Sequence, residues 1–101
     1  VIIETSDLDL PEIEGATRAT ADADADFVKT STGFASGGAT EEAVHAMLDA
    51  AEGRIKVKAS GGIRDRERAE LFVNMGCHRL GVGYSSTEAI CTGTGSSKAA
   101  Y

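Results

Sequence analysis

The sequence predicts an α/β fold built on a parallel sheet, and three observations predict it. Short β-branched runs alternate with helical segments in the order β-α-β-α-β-α-β-α, and no two-residue hairpin signal joins any pair of strands. Alternation of this kind implies right-handed crossovers, which make neighbouring strands parallel. Three of the four expected strands also run into Gly, Ser and Thr at their C-terminal ends, the end where α/β architectures build their ligand sites.

Taken in order, Val1 to Thr5 is β-branched and apolar from its first residue. It reads as a strand entered midway. The chain is therefore expected to be a fragment of a longer protein, or a subunit that closes its sheet with another copy. Residues 6–11 form a polar turn with helix-start signals, leading to a helix that ends near Ala23. That helix is a poor one, with Gly15, Thr17 and Thr20 inside it and Ile13 as its single large apolar residue, so packing against a neighbour must hold it.

The second strand is Phe27 to Thr32, and a glycine-rich loop runs from Gly33 to Ala39. Thr40 caps the next helix, whose apolar face comprises Ala43, Val44, Met47, Leu48 and Ala51, and Gly53 closes it. Ile55 to Ser60 is the third strand. Asp65 caps a helix with Ala69, Phe72 and Val73 facing inward and Gly76 at its end. The fourth strand covers Arg79 to Gly83, Ser85 or Ser86 caps a short helix through Ile90, and residues 92–101 form a flexible Gly/Ser tail after a folded region spanning 1–91. This pattern fits either a small open sheet or four units of a TIM (β/α)8 barrel.

Composition limits the partners. The 101 residues are 42% apolar and only 5% aromatic, so alanine must fill much of a thin core. A net charge of −6 and a pI near 4.8 disfavour nucleic acid and anionic membrane as partners. Any anion must be bound locally. Cys77 and Cys91 lack metal-ligand or disulfide spacing, so neither a disulfide framework nor a zinc site is expected, and reduced thiols in a cytoplasmic setting are the reading. His45 reads as a surface residue, and His78 has no partner at triad or metal spacing. Arg64, Arg66 and Arg68 with Asp65, Glu67 and Glu70 read as a solvated helix start rather than an anion site.

Two constellations carry chemistry. Strand alternation puts Phe27, Lys29 and Ser31 on one face, and Lys56, Lys58 and Ser60 on one face of the next strand. If these strands are neighbours, Lys29 and Lys58 stand at similar heights, and two adjacent ammonium groups each disfavour the other's charge. A neutral amine attacks a carbonyl, which is what Schiff-base catalysis requires. The alternative is a pair of exposed lysines on an incomplete sheet. The second constellation is Gly61-Gly62 with Gly83-Tyr84-Ser85-Ser86, where freed backbone N–H groups and hydroxyls suit a phosphate. Ordinary turn and cap chemistry would use the same residues.

The runs VIIET, DFVKTSTGF followed by GGAT, VKASGGIR, and RLG with a later Ser-Ser occur in this order over nearly the whole chain. They resemble the C-terminal half of deoxyribose-phosphate aldolase. The resemblance implies a TIM barrel of which this chain is about the last four βα units. It implies reversible cleavage of 2-deoxy-D-ribose 5-phosphate to acetaldehyde and glyceraldehyde 3-phosphate, without metal or organic cofactor.

By motif, Lys29 matches the Schiff-base lysine and Lys58 the second lysine that perturbs it. Thr30 belongs to the substrate site, Gly61, Gly62, Ser85 and Ser86 match the phosphate loops, and Tyr101 matches a tail tyrosine that assists proton transfer. A homo-oligomer, or association with the missing N-terminal half, would complete the site. That half carries the aspartate of the proton relay, and a lysine that normally precedes VIIET is also absent. The segment between RLG and the serines is two residues longer than usual, and Asp24 stands where a glycine is usual. Glu4 is expected either to point into the lumen near the lysines or to face the missing half. A non-catalytic phosphosugar-binding domain and a structural half-barrel remain the alternatives.

Overall fold

The computed structural model describes residues 1–95. A 3-10 turn at Thr5–Asp7 precedes α1 (Leu10–Asp22), β1 (Phe27–Lys29), α2 (Glu41–Ala51), β2 (Lys56–Ser60), α3 (Arg66–Met75) and β3 (Arg79–Gly81). A second 3-10 turn, Tyr84–Ser86, leads into α4 (Thr87–Thr92). The strands form a parallel sheet in the order β1-β2-β3. Alternation of strand and helix therefore produced the parallel pairing it implied.

The strand expected at Val1 to Thr5 is reduced to one bridge, between Ile2 and Lys29. Its backbone still runs along β1: Lys29 N–H donates to the Val1 carbonyl at 2.7 Å, Ile3 N–H to Lys29 at 3.1 Å, and Thr5 N–H to Thr30 at 2.9 Å. The extended run ends because Glu4 turns left-handed, with φ 55°. The later strands are also shorter than expected, as β1 stops at Lys29 and β3 at Gly81.

One face of the sheet is buried. Val28, Val57 and Ala59 point to the helices and pack with Ile13, Val44, Met47 and Phe72. Much of the remaining core is alanine, in line with the composition. Helix α1 holds by the means its sequence concealed. Asp9 and Glu12 form a reciprocal capping box at 2.8 and 3.0 Å, and Thr17 and Thr20 are buried with their hydroxyls bonded to the carbonyls of Ile13 and Ala16, each at 2.8 Å. A threonine that satisfies its own hydroxyl on the preceding turn can be packed like a small apolar residue.

Thr40 and Asp65 cap α2 and α3 as expected, accepting from Ala43 and Arg68 N–H. Glu52 is the left-handed C-cap of α2, at φ 49°, and Gly53 follows it at φ 74°. Other local readings are corrected. Val73 is 54% exposed, because α3 buries a narrower stripe made by Ala69 and Phe72. Ser86 makes no side-chain cap for α4, being itself helical. Arg66 is not merely solvated: its guanidinium donates to the Ile90 and Cys91 carbonyls at the last turn of α4, where a cation also meets the helix dipole. Arg68 donates to the Ala39 carbonyl and lies over the Phe72 ring.

Gly15 is exposed inside α1, and a Cβ there would meet nothing within 4 Å. Gly15→Ala is expected to raise stability by about 0.5–1 kcal/mol in urea unfolding. Among the described residues both thiols are free, and burial pushes the Cys77 thiol up to about 11. Because the unfolded chain releases that proton near 9.0 and the folded chain retains it, the associated stability is present below pH 9 and lost towards pH 11. Titrated unfolding should show this loss, and Cys77→Ala should diminish it.

Candidate active site

The open face of the sheet carries the charges. Since Val28 and Val57 face the helices, the alternate residues Lys29 and Lys58 face the other way, and both are half-buried. In the β1–β2 register they are direct Cα partners, as Phe27 and Lys56 are one step below. The structure thus brings the two lysines together as the alternation required. Arg79 is the Cα partner of Lys58 on β3, and with Phe27 and Lys56 it forms a cationic cluster on the same face. The Phe27 ring has the Lys56 ammonium 5.6 Å from its centre and the Arg79 guanidinium at 4.4 Å, distances suited to cation–π attraction.

Above the lysines the two strands are stapled by a hydroxyl. Thr30 Oγ1 donates to the Ser60 carbonyl and accepts from Ser60 N–H, each at 3.0 Å, and it also accepts from Ser31 Oγ at 3.0 Å. One proton and two lone pairs are all a hydroxyl has. Thr30 is fully buried and fully engaged, so its side chain holds β1 to β2 rather than offering a bond to a ligand. The Ser60 hydroxyl is buried beside it without a hydrogen-bond partner among the described residues.

Gly61 and Gly62 follow, with φ of 91° and 79°. The first permits a close crossing of backbones: a Cβ on Gly38 would lie 2.5 Å from the Gly61 carbonyl group, and one on Gly61 would lie 2.8 Å from Gly38 Cα. Ala39 N–H fixes this crossing by donating to the carbonyls of Ser60 and Gly61. A cavity of about 250 Å³ opens there, with Gly33, Ser36, Gly37 and Gly38 on one wall and Gly61, Gly62 and Arg64 on the other.

Ser85 and Ser86 are not among its lining residues. Ser85 is exposed, and Ser86 is buried with its hydroxyl unpartnered among the described residues. Tyr101 lies outside the described residues. His78 has a structural task, with Nδ1 accepting from Val57 N–H at 3.2 Å, while His45 is exposed beside Asp49.

Residues 4–91 match the model of the DeoC/LacD family aldolases. The chain belongs to this family. It is 52% identical over 81 residues to a deoxyribose-phosphate aldolase of Aquifex aeolicus and 54% identical over 81 residues to deoxyribose-phosphate aldolase 2 of Staphylococcus aureus, each match covering 80% of this chain and 37% of the relative. The chain thus spans a little over a third of the length of these relatives.

Among solved structures, the aldolase QR15 superimposes with a TM-score of 0.83 at 49% identity, over 91% of this chain and 41% of that one. A deoxyribose phosphate aldolase from Aeropyrum pernix, described as a unique tetramer, gives 0.78 at 32% identity, over 91% of this chain and 39% of that one.

Within this aldolase-family chain, sequence reasoning missed two participants near the lysines and loops, Arg79 as the direct partner of Lys58 in the β2–β3 register and Arg64 in the cavity wall, while Glu4, expected near the lysines or facing further chain, has its carboxylate accepting from Thr32. Lys56 and Phe27 share the lysine face by simple alternation, but Arg79 joins it only through the β2–β3 register. Arg64 was absorbed into a helix start, and Thr32 was not foreseen as the partner of Glu4. Thr30→Val would remove the group that Ser60 N–H and Ser31 O–H share. It is expected to lower stability by about 1–3 kcal/mol, while Thr30→Ser, which keeps the hydroxyl, should lose much less; chemical denaturation of the two variants is the check.

Proposed function

We propose that the chain supplies the nucleophile and part of the phosphate site of a Schiff-base aldolase acting on 2-deoxy-D-ribose 5-phosphate. The observation that carries the reading is the direct pairing of Lys29 with Lys58 on the open face of the sheet. Family membership supports it, as do the relatives named deoxyribose-phosphate aldolase.

In the proposed reaction the Lys29 amine adds to the aldehyde carbon of the open-chain sugar, and loss of water forms an iminium. A base takes the proton of the C3 hydroxyl, the C2–C3 bond breaks, and its electron pair flows into the iminium to give an enamine. Glyceraldehyde 3-phosphate leaves with the new aldehyde. Protonation of the enamine carbon and hydrolysis then release acetaldehyde and the free lysine. Lys58 acts as the charged neighbour of the nucleophile, with Arg79 and Lys56 deepening the positive field. Tyr101 would assist proton transfer.

The phosphate would enter the cavity between the two glycine loops, with Gly61 and Gly62 at its wall and Arg64 as the cation. Ser85 and Ser86 serve the same group if the following loop closes over it, and Thr30 serves it indirectly, by keeping the strands together. The sheet is read as about four units of a TIM barrel, its cationic face forming the interior. Relatives more than twice as long and an A. pernix tetramer support closure by further chain or by another copy. Neither a metal nor a cofactor enters any step, and a cytoplasmic setting suits the phosphosugar.

Borohydride reduction with acetaldehyde followed by peptide mapping tests the assignment. Expected is a covalent ethyl adduct on Lys29 that disappears in Lys29→Ala. Trapping that persists unchanged in that variant refutes the nucleophile. Phosphate binding without any trapping would favour a non-catalytic phosphosugar-binding domain, and neither would leave a structural half-barrel.

A further inference from the structure

Glu4 makes an unusual set of contacts for a residue on the approach to a helix. Its carboxylate accepts from Thr32 N–H at 3.2 and 3.4 Å through its two oxygens, and from the Thr32 hydroxyl at 2.6 Å. The same hydroxyl accepts from Phe34 N–H at 3.1 Å. A single carboxylate thus orients a chain of bonds running from the N-terminal segment into the loop that follows Lys29. Glu4 does this from a left-handed backbone, φ 55° and ψ 68°, a conformation that non-glycine residues hold only where their surroundings impose it.

Thr32 is the root of the loop whose residues Gly33 to Gly38 form one wall of the cavity. The far end of that loop is held by Ala39 N–H on Ser60 and Gly61 and by the Gly38–Gly61 crossing. Its middle rests on the 3-10 turn, since a Cβ on Gly37 would come within 3.2 Å of Ser6 Cβ. Glu4 fixes the near end. With three anchors the wall has one shape; without Glu4 the root of the loop is joined only through its own backbone.

We infer that Glu4 is a positioning residue, which through Thr32 sets the shape of the glycine loop and so the affinity of the cavity for a phosphate group, without touching that group or Lys29. The inference rests on the cavity being the anion site proposed above. It separates two functions that lie a few residues apart in sequence, the amine at Lys29 and the phosphate wall beyond Thr32.

The test compares the protein with Glu4→Ala, Thr32→Val, the double variant and Thr32→Ser in three measurements: titration with inorganic phosphate, hydrogen exchange of the amides of residues 32–38, and borohydride trapping of acetaldehyde, which carries no phosphate. Glu4→Ala and Thr32→Val are each expected to weaken phosphate binding about tenfold and to speed exchange in the loop. The double variant should weaken binding by less than the two single losses combined, because the bond between the Thr32 hydroxyl and the Glu4 carboxylate is lost in all three. Thr32→Ser should remain within about twofold of the unaltered protein, and acetaldehyde trapping should not change.

Unaltered exchange in Glu4→Ala overturns the inference, as does equal damage from Thr32→Ser and Thr32→Val. A fall in acetaldehyde trapping matching the fall in phosphate binding also overturns it, by showing general disruption. Absence of phosphate binding in the unaltered protein removes the affinity claim. Absence of trapping in the unaltered protein counts against the aldolase reading instead, and the exchange data still decide the role of Glu4.

Discussion

The parallel register of β1 on β2 is the constraint on which the rest depends. Because Val28 pairs with Val57, both valines enter the helix-side core together, and Lys29 and Lys58 must emerge together on the other side. A shift of one residue would send the lysines into the alanine-rich core and the valines out. Burial of the valines and presentation of the amines are therefore one requirement. The Thr30 hydroxyl reinforces it at the strand ends, where the ladder gives way to loops and register is otherwise least defined.

That register also produces a local reversal of sign. The chain as a whole carries −6, yet Lys29, Lys56, Lys58 and Arg79 account for four of its ten Lys and Arg residues on one sheet face. An acidic chain can thus present a positive surface to an anionic, carbonyl-bearing ligand without attracting polyanions generally. Phe27 contributes by lying within cation–π range of two of these cations, attracting both without neutralising them.

Much of this was legible in the sequence, and the failures have physical causes. Alternation in Phe27 to Ser31 and Lys56 to Ser60 was enough to place both lysines on one face, because a strand has only two faces. Helix starts at Thr40 and Asp65 were equally plain, since their capping is local. Helix α1 looked weak because threonines are poor helix formers, whereas Thr17 and Thr20 are buried with their hydroxyls bonded to the preceding turn and α1 packs on α2. Val1 to Thr5 read as a full strand because β-branched residues favour extension, whereas its length is set by the left-handed turn at Glu4. The phosphate site was read from Gly61, Gly62, Ser85 and Ser86. The cavity sets Gly61 and Gly62 against the Gly33–Gly38 loop, a neighbour the reading did not include, through a crossing that depends on Gly38 lacking a side chain. Nothing in a linear pattern announces which two glycines will meet.

Among the described residues, the three non-glycine residues with positive φ show how the fold distributes strain between its two ends. Asp24 and Glu52 precede β1 and β2, at the end of the sheet away from the site, and Glu4 stands at the other end. All three are acids, a short or flexible carboxylate being able to find a local cation or donor that offsets the conformation. At the first end the cation is Arg54, which bonds Asp22 and lies in the field of Glu52 and Asp24, so its guanidinium is held more strongly protonated, chiefly by the Asp22 bond. That cluster is solvent-exposed, and salt and water share in its work. At the other end no arginine substitutes for the loop: the groups that meet Glu4 are the backbone and hydroxyl of Thr32. Strain at Asp24 and Glu52 is therefore a matter of turn geometry, and at Glu4 it is tied to the shape of the wall that the ligand would meet.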